Sequence, residues 1–394
     1  ARLVTTAPRI CVRYECVPMR FIKHVYKIHT YAQDGRLFEG KTPVSAFLNS
    51  SYDGSFIAGL MELRYIQSLP VERIINYFES HGFTLKKPTA HKLMEKASSL
   101  FENLYKCIRQ TALGDPYKAA DETYYKILVP EKNSKGKGVR KGYLWVVVGI
   151  NTRMIYLLYD DGSRSEKVIL NELGGCKGII QSDGYSPYRK LESDAYPHIT
   201  RIPCLQHIKR KFIDCGEDDP DAKRIVEMIN TLYQNEHKHK IGVDGWTVEQ
   251  NLVHRKKYAP DILGEIKDVL DDIEERGDLL PKSELKEAIT YLRNEWNAVV
   301  DIFNYGDTYL DNNIVERMNR YISLSRKNSL FFGSHKGAER GAILYTIALT
   351  CRMNKVNLFE YLTDVINRTA EWQPNTPLEK YRLLLPDRWE KAND

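Results

Sequence analysis

The sequence predicts an α/β protein: a mixed sheet flanked by helices, with a helical region before it and a helical insertion within it. Three observations predict this. Residues 119–129, 142–150 and 153–159 are β-branched and aromatic runs joined by short connections, as consecutive strands require. A helical stretch, SRSEKVILNEL, and a short apolar strand at 178–183 follow them. Residues 54–112 and 216–300 carry helical rather than alternating periodicity.

The chain has 394 residues, enough for two or three domains with a substantial core. Lys and Arg number 58 against 52 Asp and Glu, giving a pI near 8.7. So mild an excess is compatible with nucleic acid but does not select it, and the placement of charge matters more than its sum. Seven cysteines without a framework predict a reduced, cytoplasmic protein. No signal peptide or membrane-spanning run is expected, and no membrane partner. Because the first residue is Ala, the expectation is a fragment or a processed chain.

Residues 10–31 alternate as two short strands would. Within them Cys11, Cys16, His24 and His29 give C-x4-C-x7-H-x4-H. The middle spacing is shorter than in the usual zinc finger and the histidines sit in strand-like sequence, so no metal is assigned there. In the helical region Pro70 suits a first helical position, VERIINYFES ends at Gly82, and Thr89 can cap one long helix, AHKLMEKASSLFENLYKCIRQ. Either these helices form a helix-turn-helix variant, with Lys86, Lys87, His91 and Lys92 near DNA, or they are a plain bundle.

The strands that follow bring Asp121 to the start of one and Asp183 to the end of another. Between the first two lies a basic, glycine-spaced loop, PEKNSKGKGVRK, with Lys132, Lys135, Lys137, Arg140 and Lys141. It either tracks phosphates or is a solvated hairpin tip. After Asp183 the pattern gives a short helix over Tyr185 to Leu191, a fifth strand ITRIPC, and an amphipathic helix QHIKRKFIDC. That helix buries Leu205, Ile208, Phe212 and Cys215 and presents His207, Lys209, Arg210 and Lys211 for DNA contact. Asp183 and Glu316 are 133 positions apart, against 62 between the aspartates, so residues 216–300 are an insertion. From Asp261 to Glu287 ten acidic residues face four basic ones, and that surface repels phosphate. Dimerisation through the insertion, or cover for a sheet edge or core face, are its two alternatives. Trp246 and Trp296 are expected in the core.

Residues 308–327, TYLDNNIVERMNRYISLSRK, read as one helix. Ile314, Met318, Tyr321 and Ile322 mark its core side, and Asn312, Glu316, Asn319, Arg320 and Ser323 form a second stripe. Two strand-borne aspartates and a helix-borne glutamate can converge on metal ions for phosphoryl transfer. Glu122 falls on the opposite face of a regular strand and is left out. Beyond Glu316, Arg326, Lys327, His335, Lys336 and Arg340 bracket SLFFG, and Gly333, Ser334 and Gly337 allow amides to approach a phosphate. The final helices, GAILYTIALTCRMN and NLFEYLTDVINR, read as core packing.

ADET, QSDGY, CLQHIKRKF, DNNIVERMNR, SRKNSLFFGSHKGAERGAILYT and NLFEYL together resemble the transposases of the IS66 insertion-sequence family, from about residue 40 to the end. The resemblance implies a ribonuclease-H-like DDE core with Asp121, Asp183 and Glu316 as catalytic residues and ligands of two Mg2+ or Mn2+ ions. It implies DNA, both element ends and target, as the partner, with self-association on DNA and accessory proteins of the same element. Arg317, Arg320, Arg326 and Lys327 join the basic loop and the His207 helix as DNA-binding residues. The expected organisation is a β-rich segment at 1–40 and a helical region at 41–115. The catalytic domain occupies 116–215, the insertion 216–300, and the Glu helix with the C-terminal helices 301–394. Spacing alone supports only a metal-dependent nuclease; a domesticated DNA-binding protein without metal is the alternative from another class.

Overall fold

The computed structural model describes residues 13–14, 19–41, 45–47, 50–132, 136, 138–216, 218–373 and 375–391. Strands β1 (Thr30–Gln33) and β2 (Arg36–Glu39) form a hairpin. Its turn is Asp34-Gly35, with φ of 51° and 74°, the left-handed pair that a two-residue hairpin needs. Of the two strands expected across 10–31, residues 10–12 and 15–18 lie outside the described residues, and the hairpin falls later than the second. No such dipeptide lies there, and the described residues 19–29 form no strand. Cys11 and Cys16 lie outside the described residues, and His24 and His29 are exposed.

Helices α1 (Gly54–Tyr65), α2 (Val71–Ser80), α3 (Lys87–Leu100) and α4 (Glu102–Gly114) follow. The single long helix expected from Thr89 is in fact two. The chain enters α3 with Pro88 in its first turn and breaks at Phe101, whose buried ring and non-helical ψ of 2° redirect α4. These helices share one hydrophobic core with the sheet and the C-terminal helices.

The sheet comprises β3 (Tyr117–Leu128), β4 (Val139–Gly149), β5 (Met154–Leu158), β6 (Gly178–Ser182) and β7 (Ile199–Pro203) in the order β5-β4-β3-β6-β7. The first three strands pair antiparallel; β3–β6 and β6–β7 pair parallel. Helix α5 (Glu166–Leu173) links β5 to β6, and α6 (Ser186–Arg189) follows β6. Arg140 and Lys141 belong to β4, opposite Ile127 and Lys126, and not to the loop where they were expected.

Helix α7 (Leu205–Ile213) leads into α8 (Pro220–His237), α9 (Val248–Arg276) and α10 (Glu284–Ile302), then α11 (Asn313–Asn328), α12 (His335–Met353), α13 (Leu358–Thr369) and α14 (Leu378–Arg382). Helix α12 covers the outer edge of β5. Its Thr346 Oγ1 accepts from Leu157 N (2.9 Å), and Thr350 Oγ1 accepts from Ile155 N (3.3 Å) and donates to Ile155 O (2.9 Å). An edge strand is thereby closed to further pairing. Helices α8–α10 build a second core with Tyr117, Ile179 and Ile202 of the sheet and Leu205, Ile208 and Phe212 of α7.

Gly178 opens β6 with φ of +90°, and a Cβ there would sit 2.2 Å from the Pro116 carbonyl oxygen. That oxygen accepts from Ile179 N and starts the β3–β6 ladder. Gly178→Ala is therefore expected to cost about 2–3 kcal/mol, while Gly175→Ala, with open space around it, changes stability little. Urea denaturation of the two variants checks this; equal midpoints would show that the close approach is not needed.

Candidate active site

The parallel ladder fixes the site. Tyr117 pairs with Ile179 and Ala119 with Gln181, so two residues further along each strand Asp121 comes opposite Asp183. Alternation along β3 sends Tyr117, Asp121 and Tyr125 towards the segment from Tyr309 to Ser329. Glu122 points the other way. It is held by Arg164 (Nη2–Oε1 2.6 Å), and the Tyr188 hydroxyl lies 3.4 Å from its Oε2.

Asp121 Oδ2 accepts from Asn319 Nδ2 at 2.7 Å, and its Oδ1 accepts from Glu122 N at 2.8 Å. Burial, with the neighbouring charges of Glu122 and Asp183, pushes its carboxyl up to about 8. Asp183 closes an Asx turn onto Tyr185 N (3.1 Å). Its carbonyl oxygen accepts from Arg201 Nη2 at 2.7 Å, and Gly184 N donates to the Tyr291 hydroxyl of α10 at 2.8 Å. A Cβ on Gly184 would meet that hydroxyl at 2.5 Å, so only glycine admits the contact. Arg201, fully buried on β7, also donates to Ser182 Oγ and pairs with Glu192 and with buried Glu295 of α10, both at 2.6 Å. The insertion thus supports the Asp183 loop directly.

Helix α11 begins at Asn313, later than expected. Asn312 is not part of it, because its side chain is spent on the Ala120 carbonyl (2.9 Å). Of the expected core stripe Ile322 is buried, and Ile314, Met318 and Tyr321 pack half-buried against the core; Val315, Asn319 and Ser325 are buried as well, so Asn319, expected on the polar stripe, turns inward to meet Asp121. Glu316 lies one turn before Asn319 on the same face. Its carboxylate is 4.0 Å from His207 Nε2, and its Oε1 is buried without a hydrogen-bond partner. His207, half-buried in the first turn of α7, comes close to Cys204 and Glu316, while Arg210 and Lys211, one turn further on, are exposed. Cys215 is half-buried beyond the end of α7.

Lys135 and Lys137 lie outside the described residues. Arg317, Arg320 and Lys327 are exposed on α11, whereas Lys209 and Lys211 reach over Tyr233 and Tyr291. Sequence reasoning missed a ladder of tyrosines and cations. Tyr124 and Tyr143 are cross-strand partners; Arg326 lies 3.9 Å and Lys141 4.2 Å over Tyr124, and Arg164 lies 5.1 Å over Tyr143 and 4.1 Å over Tyr185. The signal available was the tyrosine at both 124 and 143 in adjoining strands.

A profile described as the transposase IS66 family matches residues 49–340. The chain belongs to the IS66 transposase family. Three relatives from Sinorhizobium fredii (strain NBRC 101917 / NGR234) are similar along most of it. Uncharacterized protein y4jD is 25% identical over 346 residues, 84% of this chain and 65% of the relative. Uncharacterized protein y4hP is 24% identical, covering 100% and 73%, and uncharacterized protein y4qI 26%, covering 93% and 69%. The chain thus spans about two thirds to three quarters of the length of these relatives.

Two expectations follow. Glu295→Ala leaves Arg201 less compensated in a dry site and should cost about 3–5 kcal/mol. Replacing both residues by Met should recover much of that loss, which a double-mutant cycle in urea measures; additive losses would mean the two are not coupled. For Asp121 the folded carboxyl holds its proton up to about pH 8, while the unfolded one releases it near 3.8. Folding therefore takes up a proton between these values, and stability falls as pH rises through that window. In EDTA, Asp121→Asn should be more stable than the parent by on the order of a few kcal/mol at pH 9 and gain nothing at pH 4. A parent whose stability is flat across the window would overturn this.

Proposed function

We propose that the protein is the DNA transposase of an insertion sequence, cleaving element ends and joining the exposed 3′ hydroxyls to target DNA. What carries this is the β3–β6 register, whose last pair, Ala119 with Gln181, lies two residues before Asp121 and Asp183, with α11 joined to Asp121 through Asn319. Three antiparallel strands followed by two parallel ones support a ribonuclease-H-like catalytic domain. Asp121, Asp183 and Glu316 are its catalytic carboxylates.

The same residues fit two divalent ions, Mg2+ or Mn2+. Their donors are oxygens, burial and then the neighbouring charges of Glu122 and Asp183 raise the Asp121 carboxyl, and Glu316 Oε1 lacks a partner. Ions held there would supply an activated water and neutralise charge on the leaving oxygen. The chain's own groups arrange the rest. Asn319 orients Asp121; the Asx turn, Arg201 and Tyr291 fix Asp183; His207 stands against Glu316. Hydrolysis puts the water oxygen on phosphorus and releases the 3′ hydroxyl of the element end. In the transfer step that hydroxyl attacks a target phosphodiester and displaces a target 3′ oxygen.

The exposed cations of α7 and α11, together with Lys135, Lys137, Arg140 and Lys141, bind backbone in this scheme, and the tyrosine ladder stacks a strand. Joining two ends requires self-association on DNA, with other proteins of the same element as accessory partners. The reaction belongs to the cytoplasm. No helix among the described residues is long and apolar enough to cross a membrane.

Asp121→Asn, Asp183→Asn and Glu316→Gln should each reduce cleavage of element ends by on the order of 1,000-fold or more while leaving duplex affinity nearly unchanged. Combining them should add little. Gel assays of cleavage and strand transfer with Mg2+ measure it. Near-normal turnover in any one variant removes that residue from the site, and cleavage without joining by the parent leaves a nuclease.

A further inference from the structure

A cavity of about 510 Å³ lies where α2 and α3 meet the junction of α11 and α12. Arg64 of α1 lines it and is 7% exposed. Its Nη1 donates to Ser325 Oγ (3.0 Å) and Leu69 O (3.5 Å), and its other neighbours are the rings and hydroxyls of Tyr65, Tyr125 and Tyr345. Among the described residues no carboxylate pairs with it. The remaining charges on the wall cancel: Lys87 is bonded to Glu72, and Arg340 to Glu95 at 2.6 Å. Three cations against two carboxylates leave one positive charge, and it is the buried one. A guanidinium out of water without a counter-ion is costly, so the wall is built to receive a single negative charge.

A monoanion alone would not need the rest of the cavity. Met94, Val71 and Leu344 give it an apolar side, and Leu330 and Phe331 at its rim are 61% and 47% exposed. A large exposed aromatic beside a cationic wall is the arrangement on which a nucleobase stacks while its phosphodiester, carrying one charge, is neutralised. The cavity also lies on α11. Asn328 lines it, twelve residues after Glu316, or about 18 Å along the helix axis. Exposed Arg320 and Lys327 lie between the two points.

We propose that this cavity binds one unpaired nucleotide of the DNA strand, its phosphodiester on Arg64 and its base on Phe331. This rests on the transposase reading and adds to it where the strand goes: at about 3.4 Å per nucleotide, roughly five nucleotides from the reacting phosphate.

The test uses the whole chain in EDTA with three probes: oligothymidylate ten nucleotides long, an abasic strand with the same phosphates, and inorganic phosphate as competitor. The parent should bind oligothymidylate about tenfold more tightly than the abasic strand. Phe331→Ala, an exposed position, should abolish that preference while keeping affinity for the abasic strand, and Arg64→Met should weaken both. If Arg64→Met does not fold, Phe331→Ala alone decides. Equal binding of the two strands by the parent, an unchanged preference in Phe331→Ala, or no displacement of either strand by phosphate would overturn the proposal. Binding is read without metal, so these outcomes are independent of cleavage. Failure of the carboxylate variants to lose cleavage would overturn the catalytic reading and leave this result standing.

Discussion

Arg201 is the residue on which the site's geometry depends. It sits on an edge strand yet is wholly buried, because α10 lies over it and supplies Glu295. From that position its guanidinium reaches Ser182 Oγ and the Asp183 carbonyl. One side chain therefore joins the end of β6, the following turn and the insertion. A cation so placed needs several partners, since the desolvation of a lone guanidinium exceeds what a single ion pair returns. Ser182 Oγ, the Asp183 carbonyl and Glu192 accept from it, and Glu295 pairs with it.

The aspartates face the opposite demand. Strand register sets Asp121 beside Asp183, and Glu122 is adjacent in sequence, so three carboxylates share a small volume. The protein separates them by function. Glu122 is neutralised by Arg164 on the far side of the strand, which leaves Asp121 with an amide and no cation of its own. A buried carboxyl given only neutral donors holds its proton well above the ordinary range, and a cation beside it would favour release.

Much of this was legible in the sequence wherever a local pattern carried it. The strands, the helical insertion, and the residues at the ends of β3 and β6 follow from alternation, β-branching and spacing. Asp121 and Asp183 stood out because each adjoins a strand of buried residues. What was not legible depends on contacts between distant segments. Glu295 and Tyr291 look like ordinary residues of a charged helix, and Arg64 like a polar position on a mostly apolar one; only their partners from elsewhere in the chain make them unusual. Asn319 was placed on a polar stripe because amides are usually solvated, whereas here one lies inside to meet a carboxylate. The hairpin at β1–β2 was missed although Asp34-Gly35 announced it, because alternation upstream was given more weight than turn chemistry.

The same distinction bears on the insertion. Its acidic excess suggested a surface for another protein, and the charge count alone cannot separate that from cover for the sheet. The packing of its inner side shows the cover for the sheet. Ile289, Leu292 and Val299 of α10 share a core with Tyr117 and Ile202 of the sheet, and Arg255 of α9 donates to the carbonyls of Ile302, Tyr305 and Thr308 ahead of α11. The apolar side of the insertion is therefore committed within the chain, to the strand that carries Arg201 and to the approach of the helix that carries Glu316. Its acidic side remains outward, where it repels phosphate. The insertion thus packs behind the segments that carry Arg201 and Glu316 and keeps its acidic side outward.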